Sequence, residues 1–356
     1  MDVPNPTSPA ETADQTERVV AARAVTRIFR RPEVGAALAA VAIFLIFALN
    51  PTSSPLWLSQ AGFVGWLTQA WQFGIMAVPV GLLMIGGEFD LSAGVLTGSC
   101  AIVIGLLANG FGWNLWVCIA LSAVFAVLVG LFNGFLVVKT KLPSFIVTLA
   151  TFFVLRGTSV GLVEALNANS TVVTVLNPPA GSDLAKAVFG GSVGASPAFP
   201  LALFWWLGVT LLGMLVLSRT SFGNWIFAAG GEPNAARNVG VPVGATKIML
   251  FVATALAAWL VGTIQFTAGM SAVSEQGTGY ELYYIVAAVV GGCLLTGGYG
   301  SVIGSSIGAA IIGMALQGVI YARWPSQWGF AFLGILLLFG VIVNAVTFRQ
   351  AQRARR

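Results

Sequence analysis

Long apolar runs, interrupted by short clusters of polar residues, glycine or proline, make up most of the chain beyond residue 33. A helix that crosses the hydrocarbon core of a bilayer needs about 20 apolar residues. The pattern therefore predicts an all-α polytopic membrane protein with about ten transmembrane helices. The predicted spans lie near residues 34–50, 67–87, 91–110, 115–138, 143–164, 201–218, 247–269, 283–298, 302–320 and 328–347.

The amino-acid composition supports this fold class. Of the 356 residues, 57% are hydrophobic and only 8% are charged, whereas a soluble domain carries roughly 25% charged residues. So few charges cannot cover a soluble fold of this length, which excludes a secreted disulfide scaffold, a disordered chain and a nucleic-acid-binding protein. The chain has no histidine, which excludes His-based catalytic triads and His metal sites, and we expect neither a metal nor a cofactor.

Basic residues predict the orientation in the membrane, because cytoplasmic loops carry an excess of Lys and Arg. With ten spans and the N-terminus inside, most of the 17 Lys and Arg residues fall on the cytoplasmic side. Both termini are then cytoplasmic. We expect a disordered tail at residues 1–32, a transmembrane domain at residues 33–348 and a short basic tail at residues 349–356.

The stretch GGEFDLSAG at residues 86–94 separates two apolar runs. Its two glycines are expected to end one helix, and Asp90 or Ser92 to cap the next. Carboxylates such as Glu88 and Asp90 are costly here unless they face protein, water or a helix N-terminus. Two interpretations remain open: a polar helix junction near the cytoplasmic interface, or a gate in a transport pathway.

A second glycine-rich interruption starts at Gly297, at the matching position in the second half of the chain. Close-packed small residues let membrane helices approach one another. Paired interrupted helices in two related halves often line a transport pathway. Because the two interruptions occur at matching positions, the two halves are expected to be pseudo-repeats.

The loop at residues 219–246 is predicted to be cytoplasmic. Pro233 suits the first turn of a short helix, with Glu232 near its positive end and Gly240 after its end. A short helix of small residues has little to bury against by itself. We interpret it as a surface that docks on another protein, with a purely structural re-entrant loop as the alternative.

Several segments together resemble the ribose-type sugar permeases of bacterial ATP-binding-cassette importers. They occur in the order of that family and cover about residues 70–345. The matching segments are GGEFDLSAG (86–94), FNG (132–134), PSFIVTLATFFVLRG (143–157), FGNWIFAAGGEPNAARNVGV (222–241) and GTGYELYYIVAAVVGGCLLTGGYGSVIGSSIGA (277–309). The chain departs from the family at Glu88, where many relatives carry an apolar residue, and in its long outer loop at residues 165–200.

The resemblance implies an importer permease with two pseudo-repeated halves in the bacterial cytoplasmic membrane, carrying a monosaccharide or polyol. The implied partners are a second permease subunit, expected as a homodimer, two cytoplasmic ATPase subunits, an extracytoplasmic sugar-binding protein and the lipid bilayer. ATP hydrolysis is expected in the ATPase subunits, not in this chain. The residues carried over as ATPase-coupling residues are Gly231, Glu232, Ala235, Ala236, Arg237 and Gly240.

A translocation pathway for sugars should offer neutral hydrogen-bonding groups and few fixed charges. Polar side chains within or at the ends of the spans are the candidates, although each alone also suits helix–helix packing. The candidate pathway residues are Glu88, Asp90, Ser92, Asn133, Ser144, Thr148, Thr151 and Gln265.

Two other functions remain open at this stage. An ion-gradient-driven secondary transporter would use the charged groups Glu88, Asp90 and Arg156 for coupling, whereas a membrane-embedded enzyme would need a metal or nucleophile cluster that the sequence does not show. Arg156 lies within a predicted span, where an unpaired guanidinium costs a few kcal/mol. We expect it to pair with Glu164, Glu88 or Asp90.

Overall fold

The computed structural model describes residues 32–166, 170–194 and 196–353. Its helices are α1 (Pro32–Leu49), α2 (Ser54–Trp57), α3 (Gln60–Ile85), α4 (Ala93–Phe111), α5 (Leu115–Thr140), α6 (Ser144–Leu166), α7 (Ser182–Ala185), α8 (Ala202–Arg219), α9 (Ser221–Gly231), α10 (Pro233–Asn238), α11 (Val243–Gly269), α12 (Tyr280–Val290), α13 (Val302–Tyr321) and α14 (Trp328–Arg353). Residues 1–31 of the tail predicted at 1–32 lie outside the described residues, and Pro32 already belongs to α1. The last helix extends beyond the predicted span end at residue 347.

The polytopic all-α fold class is confirmed. Within the described ranges, eight helices are long and apolar enough to cross a membrane, and two further apolar helices, at Glu33–Leu49 and Tyr280–Val290, are shorter. These ten helices match the ten predicted spans. The predicted end of the eighth span at residue 298 is wrong, because the helix stops at Val290 and the backbone of Gly292 takes a positive φ of 99° that a helix does not allow.

Among the described residues, strands occur only as short pairs. β1 (Val172–Thr174) pairs antiparallel with β4 (Ser271–Val273), and β2 (Ser192–Val193) pairs antiparallel with β3 (Phe199–Pro200). The β1–β4 pair ties the long loop after α6 to the chain that leaves α11. This loop also contains α7 and a π-helical turn at Lys186–Gly190.

The core forms around helices α3 and α11. α13 packs along α3, and α11 packs along α5 and α4. Most of α3 from Gln72 to Ile85 is buried, including Phe73, which contacts the rings of Tyr280 and Tyr283 on α12. In contrast, few side chains of α8 and of residues 328–346 of α14 are buried, and most of their apolar side chains are half-buried or exposed, as expected for helices that face lipid or another subunit.

Two irregular segments interrupt this bundle. We call residues 86–92, between α3 and α4, the first break, and residues 291–301, between α12 and α13, the second break. The glycine-rich sequences predicted both interruptions. Residues 219–246, which we call the coupling segment after the role predicted for them from the sequence, contain α9 and α10 and connect α8 to α11.

Candidate functional site: the coupling segment and the two breaks

The coupling segment contains two helices. Thr220 begins α9, where its hydroxyl accepts a hydrogen bond from the Gly223 N–H at 3.2 Å. Pro233 occupies the first turn of α10, and Gly240, with a φ of 87°, follows its end. The short helix after Glu232 is therefore confirmed. Helix α9 was not predicted, although Thr220 is a typical N-cap residue and Phe222, Trp225 and Ile226 have helical spacing.

The residues proposed for ATPase coupling lie on and beside α10. Ala236 is buried against Ala229 and Val243, which anchors α10 to α9 and to the start of α11. The remaining members of the set are exposed, and Arg237 donates a hydrogen bond to the Asn234 side chain at 3.1 Å. The exposed members are Gly231, Glu232, Ala235, Arg237 and Gly240. The arrangement leaves one anchored edge and one exposed face that carries Glu232 and Arg237.

The first break is held in place by hydrogen bonds centred on Asp90. Its Oδ1 atom accepts from the Ser92 N–H at 2.8 Å and from the Ser92 hydroxyl at 2.6 Å. Asp90 thus orders the entry to α4, and the Ser92 side chain itself forms no capping bond there. The Ser92 hydroxyl in turn accepts from Asn133 Nδ2 at 3.0 Å, which links the break to α5.

Three polar side chains of α6 complete the network. The Thr151 hydroxyl donates to Oδ1 of the Asn133 side chain at 2.6 Å, which joins α6 to α5. The hydroxyls of Ser144 and Thr148 accept from the backbone N–H groups of Phe89 and Leu91, each at 3.0 Å. Polar side chains of the first break, α5 and α6 therefore form a hydrogen-bond network around the first break, which we call the latch: Asp90, Ser92, Asn133, Ser144, Thr148 and Thr151.

The latch is buried and its groups are paired. Asn133 and Thr148 have no exposed surface, and Asn133 lies seven residues before the end of α5, about 10 Å along the helix axis. In this conformation these side chains join helices. Their role as pathway residues stays a prediction that requires the latch to open.

Gln265 lies apart from the latch. Its Nε2 donates to the Gln72 oxygen at 2.9 Å, and its own oxygen accepts from Gln276 at 2.7 Å. This chain of three amides connects α3, α11 and the loop before α12. Gln276 was not predicted as a site residue, because it lies in a loop outside the predicted spans, 11 residues after Gln265.

Glu88 forms an ion pair with Lys247, at the start of α11. The two side chains are only 11% and 16% exposed. The pair thus connects the first break to the helix that directly follows the coupling segment. Glu88 and Arg156 do not contact one another.

Arg156 is paired, as predicted, but the three predicted partners are wrong. Its Nε atom lies 3.1 Å from Oε1 of Glu275, in the loop between β4 and α12. Glu275 comes close because the β1–β4 pair draws that loop towards α6, which is a tertiary effect. Within the described ranges, no group of three or more Cys, Asp or Glu side chains is arranged to hold a metal ion.

The two breaks meet each other. The Gly298 N–H donates a hydrogen bond to the carbonyl oxygen of Ile85 at 2.8 Å. Both Gly87 and Gly297 take positive φ values, 81° and 80°, which favour glycine. Their matching positions in the sequence therefore correspond to a direct contact in the structure.

Comparison with known proteins identifies the family. Residues 62–341 match the model of the branched-chain amino acid transport system permease component family. The autoinducer 2 import system permease protein LsrC of Enterobacter sp. strain 638 is 31% identical, over 91% of each chain. The LsrD proteins of Klebsiella pneumoniae and Photorhabdus laumondii are each 29% identical, over 87% and 89% of this chain and 90% and 92% of their own lengths.

The comparison with solved structures gives no significant match. The family match covers most of the chain and includes both breaks and the whole coupling segment. A permease subunit is not itself catalytic. The chain therefore belongs to this permease family and is a multi-pass inner-membrane subunit of an ATP-binding-cassette importer, not an ion-gradient-driven transporter.

Proposed function

We propose that this permease carries a neutral, hydroxyl-rich solute of the monosaccharide or polyol class, and that ATPase subunits drive it by docking on the coupling segment. The observation that carries the ATPase proposal is the exposed face of α10, a helix that is anchored through Ala236 and joined to α11 by the short connection at residues 239–242. The polar groups along the helices that could meet a solute are mainly hydroxyls and amides, which exchange hydrogen bonds with sugar hydroxyls.

The solute class is also supported by the relatives, which are named as autoinducer 2 import permeases. Autoinducer 2 and a pentose such as ribose are therefore the first solutes to test. An extracytoplasmic binding protein would select the solute and deliver it. The hydrogen-bonded side chains of Gln72, Gln265 and Gln276 are candidate contacts for the solute along the translocation pathway.

A second permease subunit is supported by the Arg156–Glu275 pair. Arg156 lies 12 residues into α6, about 18 Å from its start and near the middle of the helix. The two side chains are 43% and 55% exposed, and charges facing lipid at such a position are costly. We therefore expect this face to meet another subunit or a water-filled pathway between subunits. The relatives include two differently named proteins, LsrC and LsrD, so a homodimer stays a prediction.

The proposal requires the coupling segment and both termini to lie in the cytoplasm. A cysteine at the exposed position Asn234, in a chain whose three native cysteines are replaced, should react with an impermeant thiol reagent only in inverted vesicles. Reaction in intact cells would contradict the proposed orientation.

The function is tested by purifying the chain with its ATPase subunits and reconstituting the complex in liposomes with the binding protein. Uptake of radiolabelled ribose or autoinducer 2 should require MgATP and should persist when the proton gradient is dissipated. Two differently tagged copies of the chain should co-purify if the permease is a homodimer. If they do not, a second permease gene product should be present instead.

A further inference from the structure

Gly230, in the last turn of α9, lies where the coupling segment meets both breaks. A Cβ atom at this position would collide with the carbonyl oxygen of Ile85. It would also lie 2.8 Å from the Gly298 nitrogen and 2.9 Å from the carbonyl carbon of Gly86. All three are backbone atoms, which cannot move aside by a change of rotamer, so only glycine fits.

The atoms beneath Gly230 belong to two segments that are already joined. The Ile85 carbonyl oxygen accepts the hydrogen bond from Gly298, and a Cβ atom on Gly297 would lie 2.8 Å from Gly87 Cα. The end of α9 therefore packs directly against the backbone of the end of α3 and of both breaks.

The next residue shows how local this contact is. A Cβ atom on Gly231 would meet only Gly298 Cα, at 3.9 Å, which is an ordinary van der Waals distance. Gly231 is exposed, whereas Gly230 is buried. Gly298 also packs close to the Gly231 backbone, so the two adjacent glycines differ in what an added Cβ would meet: backbone atoms of both segments at Gly230, and open space beyond one ordinary contact at Gly231.

We propose that Gly230 is a positioning residue that transmits a displacement of the coupling segment to both breaks at once. This inference rests on the proposed docking of ATPase subunits on that segment. A contact between backbones has no side-chain rotamers to absorb a small shift, so α9 cannot move without moving residues 85–87 and 297–298. Because Asp90 and Ser92 of the latch belong to the first break, the same displacement also moves the polar network that joins α4, α5 and α6.

The test uses the complete complex in nanodiscs, compared without nucleotide and after trapping with MgATP and vanadate. Amide hydrogen exchange is followed in peptides that cover the coupling segment, the first break and the second break. In the wild type we expect the exchange rates of all three segments to change by threefold or more. The variant Gly230→Ala should keep its ATPase subunits bound but lose the response of the two breaks, and Gly231→Ala should respond like the wild type.

The outcomes separate this inference from the proposed function. Failure of the wild-type chain to retain ATPase subunits would overturn the proposed function itself. If the ATPase subunits are retained but nucleotide changes hydrogen exchange only in residues 219–246, the inference alone is overturned. A normal response of both breaks in Gly230→Ala would overturn it as well. If Gly230→Ala does not fold, the wild-type measurement still decides, because the inference requires both breaks to respond together.

Discussion

Arg156 on α6 and Glu275 in the loop before α12 form an ion pair across 119 residues of sequence, with 3.1 Å between Nε and Oε1. The pair fastens the loop to the middle of a membrane-spanning helix and leaves both side chains partly exposed. Within a single chain such exposure is costly in lipid. The pair therefore marks a face that we expect to be covered in the assembled transporter.

Reversing the charges of this pair should preserve it. Arg156→Glu or Glu275→Arg alone brings two like charges together and should reduce ATP-dependent uptake at least tenfold, whereas the double exchange should recover most of the activity. Uptake in proteoliposomes is the measurement. Glu164→Gln is the control, because Glu164 is exposed on the same helix. Equal loss in the single and double variants would show that the charges do not act as a pair.

The Glu88–Lys247 pair should contribute to stability. Removing one partner of a buried ion pair costs about 3–5 kcal/mol, because the other charge remains buried without compensation, whereas an apolar replacement of both partners is often neutral. We expect Glu88→Gln to lower the unfolding midpoint of the purified protein clearly, and Glu88→Leu combined with Lys247→Met to restore it. Glu232→Gln, at an exposed position, should leave the midpoint unchanged. An unchanged midpoint in Glu88→Gln would contradict this role.

Cysteines at Ser92, Asn133 and Thr148 should be unreactive in the resting state. These positions have no exposed surface in this conformation. If the latch opens during transport, a small water-soluble thiol reagent should modify them only when the loaded binding protein and MgATP are both present. Lys139→Cys, which is exposed at the end of α5 and lies outside the coupling segment, is the reactive control in the same background without native cysteines. Lack of reaction in every state would assign these residues to helix packing only.

The exposed face of α10 should be required for coupling. Arg237→Glu reverses a charge at the proposed docking surface while leaving the buried anchor Ala236 in place. We expect it to reduce ATP-dependent uptake at least tenfold without lowering the unfolding midpoint. Co-purified ATPase subunits and uptake are measured together with Lys139→Glu, which reverses another exposed charge at the end of α5. Equal effects of the two substitutions would indicate a general effect of charge.

Local sequence patterns determined most of the secondary structure of this protein. The apolar runs predicted ten helices, the glycine clusters predicted both breaks, and Pro233 and Gly240 predicted a short helix in the coupling segment. Each of these features depends on neighbouring residues, because helix formation and helix termination follow from apolar length, backbone freedom and capping within a few positions.

The tertiary structure alone decided which groups meet. Arg156 and Glu275 are 119 residues apart in the chain, and Glu88 and Lys247 are 159 apart. No local pattern encodes such pairings, since many carboxylates satisfy the same charge rule and only chain packing selects among them. The close packing of Gly230 could not be predicted either. In the sequence, a glycine that is required by backbone contacts with two distant segments cannot be told apart from a glycine that only ends a helix.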